Sequence, residues 1–146
     1  RLLVIGHGPH RPALEEHARV LGIAESVVWA GYHEDDLPEH YRAADALFFT
    51  AAGSDEGHRA ILEAMACGVP PVSAPIEGVA ALLGRCAERL IAPAPEAEAI
   101  ARCAATLLSG EEGPVRRSVE ELSRAFGYEH AAQRLLDGYA LVGARG

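Results

Sequence analysis

The chain has 146 residues, 49% of them hydrophobic and 23% charged, with a net charge of −8. That is an ordinary globular mixture, long enough to bury roughly 70% of its unfolded surface as one domain. The acidic balance argues against a nucleic-acid partner, no apolar run reaches the ~18 residues that a membrane span needs, and nothing at the N-terminus resembles a signal peptide.

Short apolar runs alternate with helical patterns. Leu2–Ile5, Val27–Ala30, Ala46–Thr50, Pro71–Ala74 and Arg89–Ala92 are expected as strands, with helices between them at about residues 11–21, 37–44, 57–67 and 77–85. Strands too apolar to alternate, separated by helices, indicate a parallel sheet covered on both faces, the α/β doubly wound class. After residue 93 only helices follow, at about 95–108, 114–125 and 128–142. The chain opens at Arg1 without a methionine and enters a strand at once, as a fragment or processed product would. All thirteen basic residues are arginine, so a function that requires lysine cannot reside in this chain. Three scattered cysteines, Cys67, Cys86 and Cys103, fit reduced thiols in a cytoplasmic protein better than a disulfide framework or a metal site.

The most informative stretch is Gly53-Ser-Asp-Glu-Gly-His-Arg-Ala-Ile-Leu-Glu-Ala-Met-Ala-Cys-Gly-Val-Pro70. A polar loop runs into a helix and places Asp55 at its start and Glu63 eight residues later. Glu63 stands alone among Ile61, Leu62, Ala64, Met65, Ala66 and Cys67. A helix apolar nearly all round is buried, and a lone ionisable group there needs a partner, a shifted pKa or a ligand. Gly68-Val69-Pro70 stops the helix. Its N-terminus offers unpaired N–H groups and a dipole that favour anions. In an open parallel sheet ligands lie beyond the carboxyl ends of the strands. Three such ends carry suggestive loops: Gly6-His-Gly-Pro-His10, Gly31-Tyr-His-Glu-Asp-Asp36 and Ala51-Ala-Gly-Ser-Asp-Glu56.

With these pieces in order, the chain resembles the group 1 (family-four) retaining glycosyltransferases of the GT-B fold. Asp55-x7-Glu63 followed by Ala-Met-Ala-Cys-Gly-Val-Pro looks like their paired-acid signature. Val4-Ile-Gly-His-Gly-Pro9 is similar to their glycine-rich strand–loop. Val28-Trp-Ala-Gly-Tyr32, Leu37–Asp45 and Phe126–Tyr139 match the segments that follow. The resemblance implies a Rossmann-like, doubly wound parallel sheet, one half of a GT-B enzyme, with the helical segment 94–146 included in one truncated domain, residues 1–146. It implies the C-terminal half, which binds a nucleotide-sugar donor.

On that resemblance Glu63 grips the ribose hydroxyls, since a carboxylate accepts from both. Asp55 sits against the donor sugar and stabilises charge growing at the anomeric carbon, the catalytic role. Gly57, His58 and Arg59 face the sugar or diphosphate, Tyr32 and His33 the base, and Gly6 and Gly8 belong to the glycine-rich loop. No metal and no cofactor are implied beyond the donor itself. The family's first strand, with its diphosphate-binding arginine and lysine, and an acceptor-binding domain are expected ahead of Arg1. That strand is central in the family's order, so the sheet is expected to lack it or to fill the gap differently. A cytoplasmic location is implied, peripheral at the inner membrane face in a full-length protein.

Two positions depart from the pattern: Asp55 stands where glutamate is usual, with Glu56 beside it, and Glu77 stands where a glycine pair is common. Plainer readings stay open. Asp55 suits a simple N-cap, Glu63 a solvent-facing position, Gly6-His-Gly-Pro9 a tight turn with proline opening the helix, and His58 and Arg59 a solvated first turn. His7, His10, His33 and His40 lack the spacing of a metal site. A nucleotide-sugar-binding module without chemistry, or an epimerase of the same architecture, are the competing functions.

Overall fold

The computed structural model describes residues 1–50 and 55–143, the side chains at 55–57, 111–112 and 138–143 excepted. The chain forms two compact units, Arg1–Leu37 and Pro38–Gly146.

The first unit is a βαβ unit with parallel strands. Strands β1 (Leu2–Ile5) and β2 (Val27–Gly31) pair from Leu2 opposite Val27 to Ile5 opposite Gly31. Parallel pairing needs a long crossover, supplied by helix α1 (Arg11–Val20) and a 3₁₀ turn at Ala24–Ser26. Proline does sit in the first turn of α1, but it is Pro12; Pro9 lies in the turn ahead. The Arg11 guanidinium lies 5.6 Å from the centre of the Trp29 ring and ties the helix to β2. Among the described residues of this unit only Ala18 is buried; Leu2, Leu14, Val20, Leu21 and Val28 stay exposed.

The second unit holds the main core. Helix α2 (Leu37–Arg42) leads into β3 (Leu47–Phe49), helix α3 (Asp55–Ala66) crosses over, and β4 (Pro71–Ser73) pairs with β3 in parallel, Leu47 opposite Pro71 and Phe49 opposite Ser73. Proline is tolerated in β4 because it opens the strand. Helix α3 buries one stripe, Ile61, Ala64 and Met65, at the i, i+3, i+4 spacing of a single face. The expectation of a helix buried nearly all round is corrected here, since Leu62, Glu63 and Cys67 are half-buried and Ala66 is exposed.

Gly68, at φ 73°, ends α3 as expected: its N–H donates to the Met65 carbonyl and the Val69 N–H to that of Ala64. These two bonds make a Schellman cap, which needs a left-handed residue that glycine alone adopts without strain.

Beyond β4 the expected helix 77–85 is shorter, α4 (Val79–Leu83), followed by a 3₁₀ turn at Gly84–Cys86 and α5 (Ala87–Leu90). The fifth expected strand, Arg89–Ala92, is therefore corrected. Its first half completes α5, and Ile91 makes a single parallel bridge to Ser73 while the Ala92 N–H donates to the Ser73 carbonyl. Helices α6 (Ala97–Thr106), α7 (Glu112–Arg124) and α8 (Tyr128–Gly143) complete the chain, α6 and α7 joined through a wide turn kinked at Gly110. Phe49, Ile61, Met65, Val72, Leu83, Leu90, Ile100, Leu107, Val115 and Val119 belong to one continuous core. The described ladders are two parallel pairs, where one sheet is expected from the sequence.

Candidate functional site

Helix α3 carries the acidic pattern. Its backbone begins at Asp55, as expected, while the side chains of Asp55 and Glu56 and the surroundings of Gly57 fall outside the described residues. Glu63 is placed on the flank of the helix, beside its buried stripe, with 33% of its side chain exposed. Both of its oxygens are engaged. The Tyr41 hydroxyl donates to Oε2 at 3.1 Å, and the Arg59 Nε–H, one helical turn earlier, donates to Oε1 at 2.9 Å.

The two partners differ in kind. Arg59 is 78% exposed and comes from the same helix, so its ion pair is worth about 0.3–0.5 kcal/mol. Tyr41 is half-buried and reaches Glu63 from α2. Burial first, and then the Glu63 charge, push its phenol well above the ordinary range, so Tyr41 remains a donor at any neutral or mildly alkaline pH. Glu63 thus meets the demand for a partner that its neighbourhood made, and Arg59 has a local reason for its position besides a bound anion. Sequence reasoning missed Tyr41. Nothing in a 22-residue separation signals that bond, whereas the i, i+4 spacing of Arg59 and Glu63 was there to be read.

His58 is also spoken for. Its Nε2–H donates to the Glu77 carbonyl at 3.2 Å, and its ring tilts against Phe49 with centroids 6.2 Å apart. The next residue, Gly78, has φ 84°, and a Cβ there would stand 3.2 Å from the His58 ring. The loop in which Glu77 replaces an expected glycine is therefore packed through its backbone against the first turns of α3.

In the first unit the structure brings the glycine-rich loop onto the turn after β2. The Gly6 N–H donates to the Gly31 carbonyl, and the His7 ring meets that of Tyr32 edge-on at 5.5 Å. Gly8 accepts from the Arg11 N–H. The Tyr32 hydroxyl donates to Glu34, while His33 faces the Asp36 carboxylate at 2.8 Å through Nδ1 and the Ala30 carbonyl at 3.2 Å through Nε2. Gly6, Tyr32 and His33 thus share one loop cluster, held by its own hydrogen bonds.

A cavity of about 400 Å³ opens at the carboxyl ends of β3 and β4, lined by Phe48, Thr50, Ala74, Pro95 and Ile100 among others. Its walls are mainly apolar and, among the described residues, include none of the expected site residues.

The profile of the glycosyl transferases group 1 family matches residues 1–110. The chain belongs to that family. Its relatives within the family include the 2-deoxystreptamine N-acetyl-D-glucosaminyltransferase of Streptomyces fradiae, 29% identical over 97% of this chain and 34% of its own length. The D-inositol 3-phosphate glycosyltransferase of Salinispora tropica is 33% identical over 92% of this chain and 28% of its own. The chain thus spans about a third of the length of these relatives. Among solved structures, sucrose-phosphate synthase from Thermosynechococcus elongatus superimposes with a TM-score of 0.76 at 21% identity, covering 99% of this chain and 39% of that one. Anabaena HepE in complex with UDP gives 0.75 at 18%, covering 97% and 40%. These likenesses establish the fold as an α/β Rossmann-like half-domain with C-terminal helices, in keeping with one GT-B lobe. Among the described residues no helix is long and apolar enough to cross a membrane.

Proposed function

We propose that this chain is the donor-binding domain of a glycosyltransferase that moves a sugar from a nucleoside diphosphate to an acceptor with retention of configuration. The observation that carries the reading is Glu63, a half-buried carboxylate on α3 held in place by Tyr41 and an exposed, displaceable Arg59. A carboxylate fixed from one side and lightly covered on the other is built to accept two neighbouring hydroxyls, and ribose supplies them. Family membership and the binding of UDP by a structural relative support the nucleotide as ligand.

In this reading Asp55 stabilises positive charge at the anomeric carbon. Gly57, His58 and Arg59 line the sugar and diphosphate, Tyr32 and His33 flank the base, and Gly6 and Gly8 shape the approach. No metal is needed where a helix N-terminus and basic side chains neutralise the phosphates. The acceptor is held by a further domain, for which the chain's share of its relatives' length speaks.

The test is kinetic, in a full-length protein that carries this chain. Asp55→Ala lowers turnover more than donor affinity, whereas Glu63→Ala raises the KM for the donor more than it lowers kcat. The reverse pattern would exchange the two roles. The 146 residues alone are expected not to transfer sugar.

A further inference from the structure

We propose that Tyr41 is a positioning residue for the donor site: its hydroxyl fixes the Glu63 carboxylate so that Oε1 faces the ligand's vicinal hydroxyls. The inference rests on the ribose role of Glu63 and goes beyond it, because it assigns a residue on a different helix to that role.

Three observations carry it. First, Tyr41 stands 22 residues from Glu63, on α2, and among the described residues its bond to Oε2 is the contact to that carboxylate that α3 does not supply itself. Arg59 turns with the helix, so its bond restrains the carboxylate relative to α3 alone. Second, a tyrosine has few rotatable bonds and here is half-buried, so it orders a flexible glutamate at little entropic cost. Third, the two oxygens divide the work. The bond from Tyr41 is partly buried, and the one from Arg59 is exposed, made by a guanidinium that a hydroxyl pair could replace. A phenol kept neutral by its surroundings also never adds a second negative charge beside Glu63.

The experiment compares Tyr41→Phe with the unaltered sequence by calorimetric titration, in a full-length protein that carries this chain. UDP, GDP and ADP identify the diphosphate that binds, and its 2′,3′-dideoxy form is titrated beside it, with thermal melts to confirm that both proteins are folded. Tyr41→Phe removes one oxygen and keeps the ring's packing. The expected result is a loss of about three- to tenfold in affinity for the ribose form and no change for the dideoxy form. Equal weakening of both forms would make Tyr41 merely structural, and an unchanged affinity for the ribose form would leave it no role at all; either result overturns the proposal. Equal binding of both forms by the unaltered protein, or binding of none, would overturn the ribose reading itself, and is thereby told apart from a failure of Tyr41.

Discussion

At the scale of single residues, Glu63, Tyr41 and the His58–Gly78 contact carry the account. The Tyr41 phenol titrates above its ordinary value in the folded chain, so the native state keeps a proton that the unfolded chain releases near pH 10. Its contribution is full below that pH and is lost as pH rises beyond it. Urea unfolding between pH 9 and 11 is therefore expected to show stability falling more steeply for the unaltered chain than for Tyr41→Phe. Parallel curves would contradict the shift.

Gly78→Ala forces an L side chain to φ 84° and sets its Cβ 3.2 Å from the His58 ring. A cost of about 1–2 kcal/mol is expected in denaturant unfolding. Adding His58→Ala relieves the contact and leaves the backbone strain, so only part of that cost returns. Full recovery would show that the φ value costs nothing.

At the scale of elements, α3 is joined to its surroundings by Arg116 on α7. One guanidinium nitrogen donates to the Gly68 carbonyl at 3.3 Å, at the cap of α3, and the other to the Ala44 carbonyl at 2.9 Å, after α2. The same guanidinium thus spans the ends of both helices that carry Glu63 and Tyr41. Arg116→Ala is expected to destabilise by about 1–3 kcal/mol, and Arg116→Lys to recover less than half, since an ammonium cannot match a planar two-pronged donor. Thermal melts of the two variants decide; equal stability of Lys and Arg would refute the two-pronged bond.

What was legible in the sequence follows from the range of the interactions concerned. The start of α3 and its stop at Gly68, β1, β2 and the crossover helix are set by neighbours a few residues away, and the structure places them where the pattern does. Arg89–Ala92 was not legible as it stands. Ala87-Glu-Arg-Leu90 are good helix formers, and a short apolar run after them does not distinguish strand from helix. The site divides in the same way. Glu63 was marked by its apolar neighbours, but the Tyr41 bond and the grip of His58 on the Glu77 carbonyl join segments about 20 residues apart. Only the tertiary fold brings those segments together.

At the scale of the whole molecule, the two units differ in what holds them. Pro38–Gly146 buries a continuous core, whereas Arg1–Leu37 buries Ala18 alone among its described residues. A two-stranded ladder whose helix buries so little apolar surface gains little from packing. Amide hydrogen exchange is thus expected to be faster at Val4 and Trp29 than at Val72 and Met65 by at least about tenfold. Equal protection would mean that the chain opens as one cooperative body.

That Glu63 anchors a nucleotide is decided by titrating a full-length protein that carries this chain, and its Glu63→Ala variant, with UDP, GDP and ADP in a calorimeter. One diphosphate is expected to bind, and the variant to lose at least about tenfold in affinity while melting close to the unaltered protein. Binding of none of the three, or binding that Glu63→Ala leaves unchanged, would contradict the anchoring.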